Sequence, residues 1–576
     1  MADLPANSNH QEPKKELKME HRLLIAFALM FGVLFVTPYI YKPAPAPKRQ
    51  GPSPTPSQAS QLAQPPEAPA IPTAKEQAPA QPVPGTMQAA SEQNFVVDTS
   101  LYRIQFTNRG ATVKSWVLKK FLDSSGKPLE LVNTAALTKI PAPFAISLKD
   151  QQISSELNQA LFIAKPAPGG LGIDYEFSDG KNYCRKSFQF GSDTYLAQIT
   201  TEVTANGVPA AHSIEWRGGF GDASVLNRAG EQQSIYYDLA QSKLVVEPAK
   251  AVKDAPITAA GNYSFAGLDD RFFAFVLLPK TGNSIRIATV RDDLPSPPNG
   301  KDQQYVGVEV GGDSVNRFSM FVGPKDIDIF RRVDPRLQQL IDWGWFGVIA
   351  KPLFLALHWI NDNIVHNYGW AIVLLTVLIN LAVLPLRLSS LKSQKKMQAL
   401  QPHIQAINAK YKGIGIRDPK KAEQNQEVME LYKKHGVNPL GGCLPMLIQL
   451  PILYAFYKVL TVTIELRGAH WLWVTDLSRP ETLGIHLLPV IMIVTQYFMQ
   501  KMTPNPSMDP AQARMMAFMP LMFGFFFYNL PSGLVLYYLT SNLVGIVQQW
   551  GINKMMPAPK IEPPKPPAPP RKKVKV

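Results

Sequence analysis

Residues 515–550 read MMAFMPLMFGFFFYNLPSGLVLYYLTSNLVGIVQQW. Two apolar runs, 515–530 and 533–552, flank the turn Leu530-Pro531-Ser532-Gly533, and neither holds a charged side chain. As helices they reach about 24 and about 30 Å, close to the ~30 Å hydrocarbon thickness of a bilayer. A Pro-Ser-Gly break between such runs reads as a tight turn joining two antiparallel crossings. The fold at this end of the chain is therefore α-helical and built for a membrane.

Working outward, similar segments occupy 485–500, 442–464 and 367–386, and one more lies far upstream at 23–41, LLIAFALMFGVLFVTPYIY. The upstream run has 19 residues and no charge. Ala44-Pro45-Ala46 resembles a signal-peptide cleavage site, but Pro47 follows at once and the apolar run exceeds a usual signal core, so a retained anchor is expected. That makes six transmembrane helices. A seventh candidate, 343–360, carries Lys351-Pro352 at its centre, where a charge and a missing backbone donor are costly in lipid. Its Trp343, Trp345 and Trp359 suit a helix lying in the interface, within a segment 331–366.

Charge orients the crossings. The 576 residues carry 59 Lys plus Arg against 44 Asp plus Glu, a net +15. Residues 94–367 hold 28 of each sign, whereas 387–441 hold 11 basic against 4 acidic and 554–576 net +6. Four crossings separate the two basic blocks, so both lie on one side, and the positive-inside rule makes that side the cytoplasm. Residues 1–22 and 553–576 are then cytoplasmic, as are 387–441 and the loop 501–514. Residues 42–367 and the loop 465–484 lie outside.

The outer part begins with a solvated tether, 42–93, which has 13 prolines between 43 and 84. From 94 to about 330 the pattern alternates at period two, as in Leu101-Tyr102-Arg103-Ile104-Gln105-Phe106, Ser284-Ile285-Arg286-Ile287-Ala288 and Gln304-Tyr305-Val306-Gly307-Val308-Glu309-Val310. This reads as a large all-β sandwich. His212 is the one histidine of the outer domain before the interfacial segment, and Asp269 and Asp270 stand in no recognisable motif. Ser124 with Lys127, and Ser389 with Lys392, match a Ser-x-x-Lys pattern too short to be specific. Two cysteines, Cys184 and Cys443, exclude a disulfide scaffold. No phosphate-cradling loop and no His-Glu-x-x-His is present. The expectation is no catalytic residue, no cofactor and no metal.

Within 387–441, Leu391, Met397, Leu400, Ile404, Ile407 and Tyr411 recur at helical spacing through 388–412. Lys412-Gly413-Ile414-Gly415 breaks that helix and Asp418-Pro419 starts a second one, giving a basic αα-hairpin. Its charge is either a solvated face or a dock for something acidic, such as ribosomal RNA, phospholipid or a partner protein. Polar residues punctuate the apolar helices: Thr376 and Asn380, Gln449, Thr495 and Gln496, Ser541 and Asn542. They are either helix-packing hydrogen bonds or the lining of a hydrated cavity.

Several long motifs carry a resemblance. Asn438-Pro439-Leu440-Gly441-Gly442-Cys443-Leu444-Pro445, Pro531-Ser532-Gly533-Leu534-Val535-Leu536-Tyr537-Tyr538 with Ser541-Asn542-Leu543, Tyr368-Gly369-Trp370 and Gln401-Pro402-His403-Ile404-Gln405 occur in the order seen in the YidC/Oxa1/Alb3 family of membrane-protein insertases. The resemblance covers about 330–555, and the anchor and outer β-domain extend it to the Gram-negative form. It implies insertion and chaperoning of nascent inner-membrane proteins, alone or with the Sec translocon, in contact with the ribosome and membrane lipids. It also implies a polar groove, to which it assigns Thr376, Asn380, Arg387, Gln449, Gln496, Tyr538, Ser541 and Asn542. A lipid-facing slide would include Leu453 and Phe526. One departure stands out. The family's groove arginine falls four residues after a threonine, where this chain has Asn380 after Thr376; the next basic residue is Arg387. Two other classes, a membrane transporter and a membrane-anchored carbohydrate-binding protein, compete with this reading. The first would show paired inverted repeats or broken midplane helices, and the second, were it a carbohydrate enzyme, paired carboxylates or a His–Glu pair in the sandwich; neither pattern is evident.

Overall fold

The computed structural model describes residues 83–224, 231–253, 255–280, 284–296, 301–411, 418, 420–437, 444–502 and 510–555. The expected anchor 23–41, most of the tether, the signature residues 438–443, the Gly413 turn and the basic tail beyond 555 lie outside the described residues.

The alternating segments form antiparallel strands in three sheets. A ten-stranded sheet runs from the edge strand Lys243–Pro248 through Gln233–Asp238, Tyr263–Asp269, Phe273–Pro279, Val315–Pro324, Leu196–Ala205, Tyr183–Phe190 and Gly172–Ser178 to Ile163–Pro166, with Val208–Pro209 beside Leu196–Ala205. A five-stranded sheet orders Ile257–Gly261, Ile285–Ser296, Lys301–Gly311, Ser213–Trp216 and Ala145–Ser147, and a four-stranded one Asn94–Asp98, Tyr102–Thr107, Thr112–Leu122 and Pro128–Glu130. Each contributes its inward side chains to one core. Trp216 of the five-stranded sheet lies 4.7 Å, centroid to centroid, from Phe275 of the ten-stranded sheet and 6.3 Å from Trp116 of the four-stranded one. Such ring pairs add roughly 0.5–1.5 kcal/mol each beyond the apolar burial. The domain is a β-sandwich with an aromatic centre.

Among the described residues eleven helices follow or flank it: α1 Gln151–Gln159, α2 Ile327–Val333, α3 Gly347–Ile360, α4 Tyr368–Ala382, α5 Leu384–Ala399, α6 Gln401–Lys410, α7 Lys420–Lys434, α8 Leu444–Val462, α9 Leu487–Met502, α10 Pro510–Phe527 and α11 Ser532–Met555. The helix expected over 388–412 is two, α5 and α6. Pro402 in the first turn of α6 has no N–H to donate and its ring crowds the preceding turn, so the chain breaks at Leu400. Pro385 likewise sits in the first turn of α5, and the crossing expected at 367–386 ends as a helix at Ala382. α6 and α7 close on Met397, Leu400, Ile404, Tyr432 and Val437, an apolar cluster separate from the main core.

Among the described residues no single helix is both long and apolar enough to cross a membrane, and the six crossings do not follow from helix length alone. α4 has 15 residues, about 22 Å, and α11, at 24 residues, is interrupted by Thr540, Ser541, Asn542, Gln548 and Gln549. One bent pair passes together, Gly347–Val365 with Tyr368–Ala382, at an angle of 115°. α3 thus does not continue α4. Ala350, Phe354, Leu357 and Ile360 form its buried face, against α8, while Trp345, Val348 and Trp359 are exposed. Asn367 caps α4, accepting from the N–H groups of Gly369 and Trp370 at 3.0 and 3.2 Å.

The sandwich and the helices share a buried ionic seam. Arg467, on the loop after α8, donates from Nη2 to Asp222 Oδ2 and to the Leu122 carbonyl, both at 2.7 Å. Both side chains are out of solvent, 4% and 0% exposed. Arg479 comes within 3.8 Å of the same carboxylate, and its carbonyl accepts from Ser532 N at 2.8 Å, at the start of α11. Arg271 of the sandwich donates to the Thr461 carbonyl near the end of α8 at 2.8 Å. The outer ends of α8 and α11 are held to the β-domain by these bonds.

Candidate functional site: a polar seam along the last helix

α11 packs against α4, α8 and α9. Tyr537, Ser541, Gly545 and Gln548 are spaced by four, four and three residues, so they share one face. Tyr537 OH accepts from Gln449 Nε2 of α8 at 2.5 Å. Ser541 Oγ accepts from Asn380 Nδ2 of α4 at 3.3 Å, and the same amide donates to the Thr376 carbonyl at 2.8 Å. Lower down, Arg387 Nη1 of α5 donates to Gln548 Oε1 at 2.9 Å, and Gln548 Nε2 donates to the Asn380 carbonyl at 3.4 Å. A Cβ at Gly545 would sit 2.8 Å from Arg387 Nη2 and 2.9 Å from Met499 Cε, so a side chain there makes the ends of both flexible side chains shift. The helix break at Val383 lets α5 carry Arg387 back onto the partner that Asn380 uses.

The seam accordingly gathers Asn380, Arg387, Gln449 and Ser541. It adds Tyr537, Gly545 and Gln548, which sequence reasoning missed; their four-four-three spacing around Ser541 was the available signal. Other expected residues go elsewhere. Tyr538 and Asn542 each sit about 100° around the helix from a seam residue. Tyr538 packs on the rings of Phe523 and Phe527 of α10, 6.2 and 5.0 Å away. Asn542 turns to α9, with Nδ2 3.4 Å from Thr495 Oγ1 and 3.5 Å from the Met492 carbonyl. Gln496 Oε1 is buried without a hydrogen-bond partner among the described residues. Thr376 is fully buried and closes a bond to its own helix, at the Ile372 carbonyl, 2.6 Å away. On the expected slide, Leu453 faces inward at 3% exposure and Phe526 is half-buried; the open apolar surface of α10 is Phe518, Leu521, Met522 and Phe525.

The polar residues of the sandwich that the sequence singles out have structural partners. His212 Nδ1 donates to the Ala210 carbonyl at 3.2 Å while Nε2 accepts from Thr201 Oγ1 and Asn316 Nδ2 at 2.8 and 3.1 Å. Burial pushes its pKa down to about 4, so it is a neutral core histidine. Asp269 pairs with Lys325 at 2.9 Å, and Asp270 accepts from the N–H groups of Phe272 and Phe273 at 2.7 and 2.6 Å. Ser124 donates to the Ser224 carbonyl at 3.1 Å, and the Lys127 N–H to Asp123 at 2.9 Å, which makes the first Ser-x-x-Lys pair a surface turn.

Comparison with known proteins agrees with this division. Residues 94–356 match the family model of the YidC periplasmic domain, and residues 359–559 match that of the 60Kd inner membrane protein. A membrane protein insertase YidC from Citrifermentans bemidjiense is 34% identical over 556 residues, covering 93% of this chain and 99% of that one. The chain belongs to the YidC family of membrane protein insertases. A YidC from Geobacter sp. (strain M21) is also 34% identical, over 81% of this chain and 86% of its own length. Among solved structures, an active YidC insertase with its first transmembrane domain resolved matches at TM-score 0.34 and 20% identity, covering 81% of this chain and 94% of that one. As a YidC-family member the chain is a membrane protein insertase with a periplasmic β-sandwich followed by a helical part.

Proposed function

We propose that this YidC-family insertase receives the polar tail of a nascent membrane protein in the seam along α11 and passes its apolar helix along the outer face of α10, with Phe526 at its edge. The carrying observation is the run of polar partners Gln449–Tyr537, Asn380–Ser541 and Arg387–Gln548 on one face of the last helix. A tail among these groups keeps hydrogen-bond partners it would lose in bare lipid. The fixed cation is Arg387, in place of the family's arginine at position 380. No covalent chemistry and no cofactor is involved. Burial of the apolar substrate helix in lipid supplies the free energy. Depleting the protein while following inner-membrane protein insertion tests the function in cells; undiminished insertion would contradict it.

The same reading places six crossings in the inner membrane, with both termini and the hairpin 387–441 in the cytoplasm and 42–367 in the periplasm, α3 lying in the interface. In intact cells a membrane-impermeant thiol reagent is expected to label a cysteine at Ser224 and spare one at Gly413. Labelling at Gly413 from outside reverses the orientation.

The basic hairpin and tail take the ribosome as partner, with the Sec translocon cooperating at the membrane. Lys554, Lys560, Lys565, Arg571, Lys572, Lys573 and Lys575 supply charges for RNA phosphates, a contact weakened by salt. Deleting 557–576 is expected to lower cosedimentation with ribosomes at low salt. Cosedimentation unchanged by the deletion and insensitive to salt refutes that role.

A further inference from the structure

The loop after α8 folds over the first turn of α4 and holds a tight turn, Trp471-Leu472-Trp473-Val474, that carries no charge. Trp471 and Val474 exchange backbone hydrogen bonds, both at 2.8 Å. Trp471 turns inward: it is buried, and a Cβ at Gly369, in the first turn of α4, would sit 2.2 Å from its Cδ1. Leu472 and Trp473 turn outward, 62% and 36% exposed. Leu472 has φ 49°, in the left-handed region where the Cβ of any residue but glycine is crowded. A glycine would hold this turn without strain. The chain instead keeps a leucine there, at a conformational cost, and presents it to its surroundings.

These outward side chains continue a face of α4. Trp370, Leu378 and Leu381 of that helix are all exposed and lie within about 80° of one another around its axis. Trp370 stands at the outer end of the face, edge-on to Trp471 at 5.6 Å, and Trp471 meets Trp473 at 5.9 Å. Three indoles thus join the exposed apolar face of α4 to the exposed tip of the loop. Tryptophan collects where the acyl chains of a bilayer give way to headgroups, because its ring is apolar and its N–H is polar. The loop also holds the outer ends of three helices. Asn367, the cap of α4, donates to the His470 carbonyl at 3.0 Å, and the Gly533 N–H of α11 donates to the Leu477 carbonyl at 2.9 Å. Trp473 Nε1 donates to Glu481 Oε1 at 2.7 Å, and Glu481 Oε2 accepts from the Leu488 N–H of α9 at 2.8 Å.

We propose that Leu472 and Trp473 form a lipid-binding finger, seated among the upper acyl chains of the outer leaflet, that anchors the outer ends of α4, α9 and α11 in the bilayer. The lipid is recognised by its apolar chains, as the turn offers no charge for a headgroup. The finger goes beyond the seam reading. Only the choice of leaflet rests on the proposed orientation, which the cysteine labelling at Ser224 and Gly413 tests separately.

The experiment uses the full chain in phosphatidylcholine–phosphatidylglycerol nanodiscs, with Cys443 replaced by serine and Cys184 out of reach in the sandwich core. A nitrobenzoxadiazole label is attached at Leu472→Cys and, as the aqueous reference, at Lys181→Cys on an exposed turn of the sandwich. The label at 472 is expected to be quenched by lipids with a nitroxide high on the acyl chain, and to be about threefold less sensitive to iodide than the label at 181. Iodide quenching equal to that at 181 places the tip in water and overturns the finger. Protection from both quenchers means that protein covers the tip, whether a second copy or another segment, and overturns it as well. Hydrogen exchange at the Trp473 amide reads the tip without a label. Leu472→Asp is expected to speed that exchange about fivefold after correction for intrinsic rates, and an unchanged rate overturns the finger.

Discussion

Arg387→Ala is expected to cut insertion of acidic-tailed single-span substrates by about tenfold, while Asn380→Ala changes it less than twofold. The difference follows from charge. A hydrogen bond to an ionised group is worth roughly 1.5–3 kcal/mol against about 1 kcal/mol for a neutral one, and about 1.4 kcal/mol is tenfold. Asn380 already divides its amide between the Thr376 carbonyl and Ser541 Oγ, so it has little left for a substrate. Arg387 commits Nη1 to Gln548 and lies over Gly545, which leaves other donors of its five for a carboxylate. Gly545→Val should therefore mimic Arg387→Ala without touching any charge, by pushing the guanidinium off its seat. Asn380→Arg restores a cation about two turns higher and should raise insertion in proportion to the number of aspartates in the tail. A matched set of substrates differing only in aspartate count measures all four variants. If insertion by Asn380→Arg is independent of aspartate count, charge in the seam does not select tails.

Asp222→Ala is expected to be the most destabilising single substitution in the outer half of the molecule. It strands Arg467 with its charge buried, and removing one partner of a buried pair typically costs about 3–5 kcal/mol. Arg467 cannot be rehydrated without leaving its position over the rings of Phe272 and Phe273, 5.4 and 5.3 Å from their centroids. The loss should appear as two thermal transitions in place of one, because the same carboxylate links the sandwich through Arg467 and Arg479 to the outer ends of α8 and α11. Asp222→Leu with Arg467→Met, which removes both charges, should recover most of the stability. Differential scanning calorimetry of the detergent-solubilised chain checks this. A single unshifted transition for Asp222→Ala would show that the seam carries no load.

The sequence disclosed features whose signal is local. Period-two alternation marks the strand at Tyr102–Phe106, where Tyr102, Ile104 and Phe106 are buried between the more open Arg103 and Gln105, whereas Tyr305 to Val308 are buried on both faces of their strand. Pro402 and Pro385 announce helix breaks by their missing donors, although the apolar spacing across 388–412 concealed the first of them. The seam was only partly legible. Ser541 and Asn542 look alike as a polar pair, yet adjacent residues on a helix point about 100° apart, so they face different partners. Choosing Tyr537 over Tyr538 likewise requires knowing that α8 lies on one side of α11 and α10 on the other. Asp222 and Arg467 stand 245 residues apart, and no local pattern could pair them. Gly545 is ordinary in sequence; its role is visible only once a guanidinium is found against it.

The tail and the apolar helix of a substrate are expected to take different routes. Photo-crosslinking with ribosome-bound nascent chains separates those routes, using probes placed singly at Asn380 and Ser541 in the seam and at Leu521 and Phe525 on α10. The expected result is that the seam probes capture the substrate's polar tail and the α10 probes capture its apolar helix, with Arg387→Ala reducing only the tail products. Seam probes that capture the apolar helix, or tail products indifferent to Arg387, would show that the two parts of the substrate do not follow separate routes.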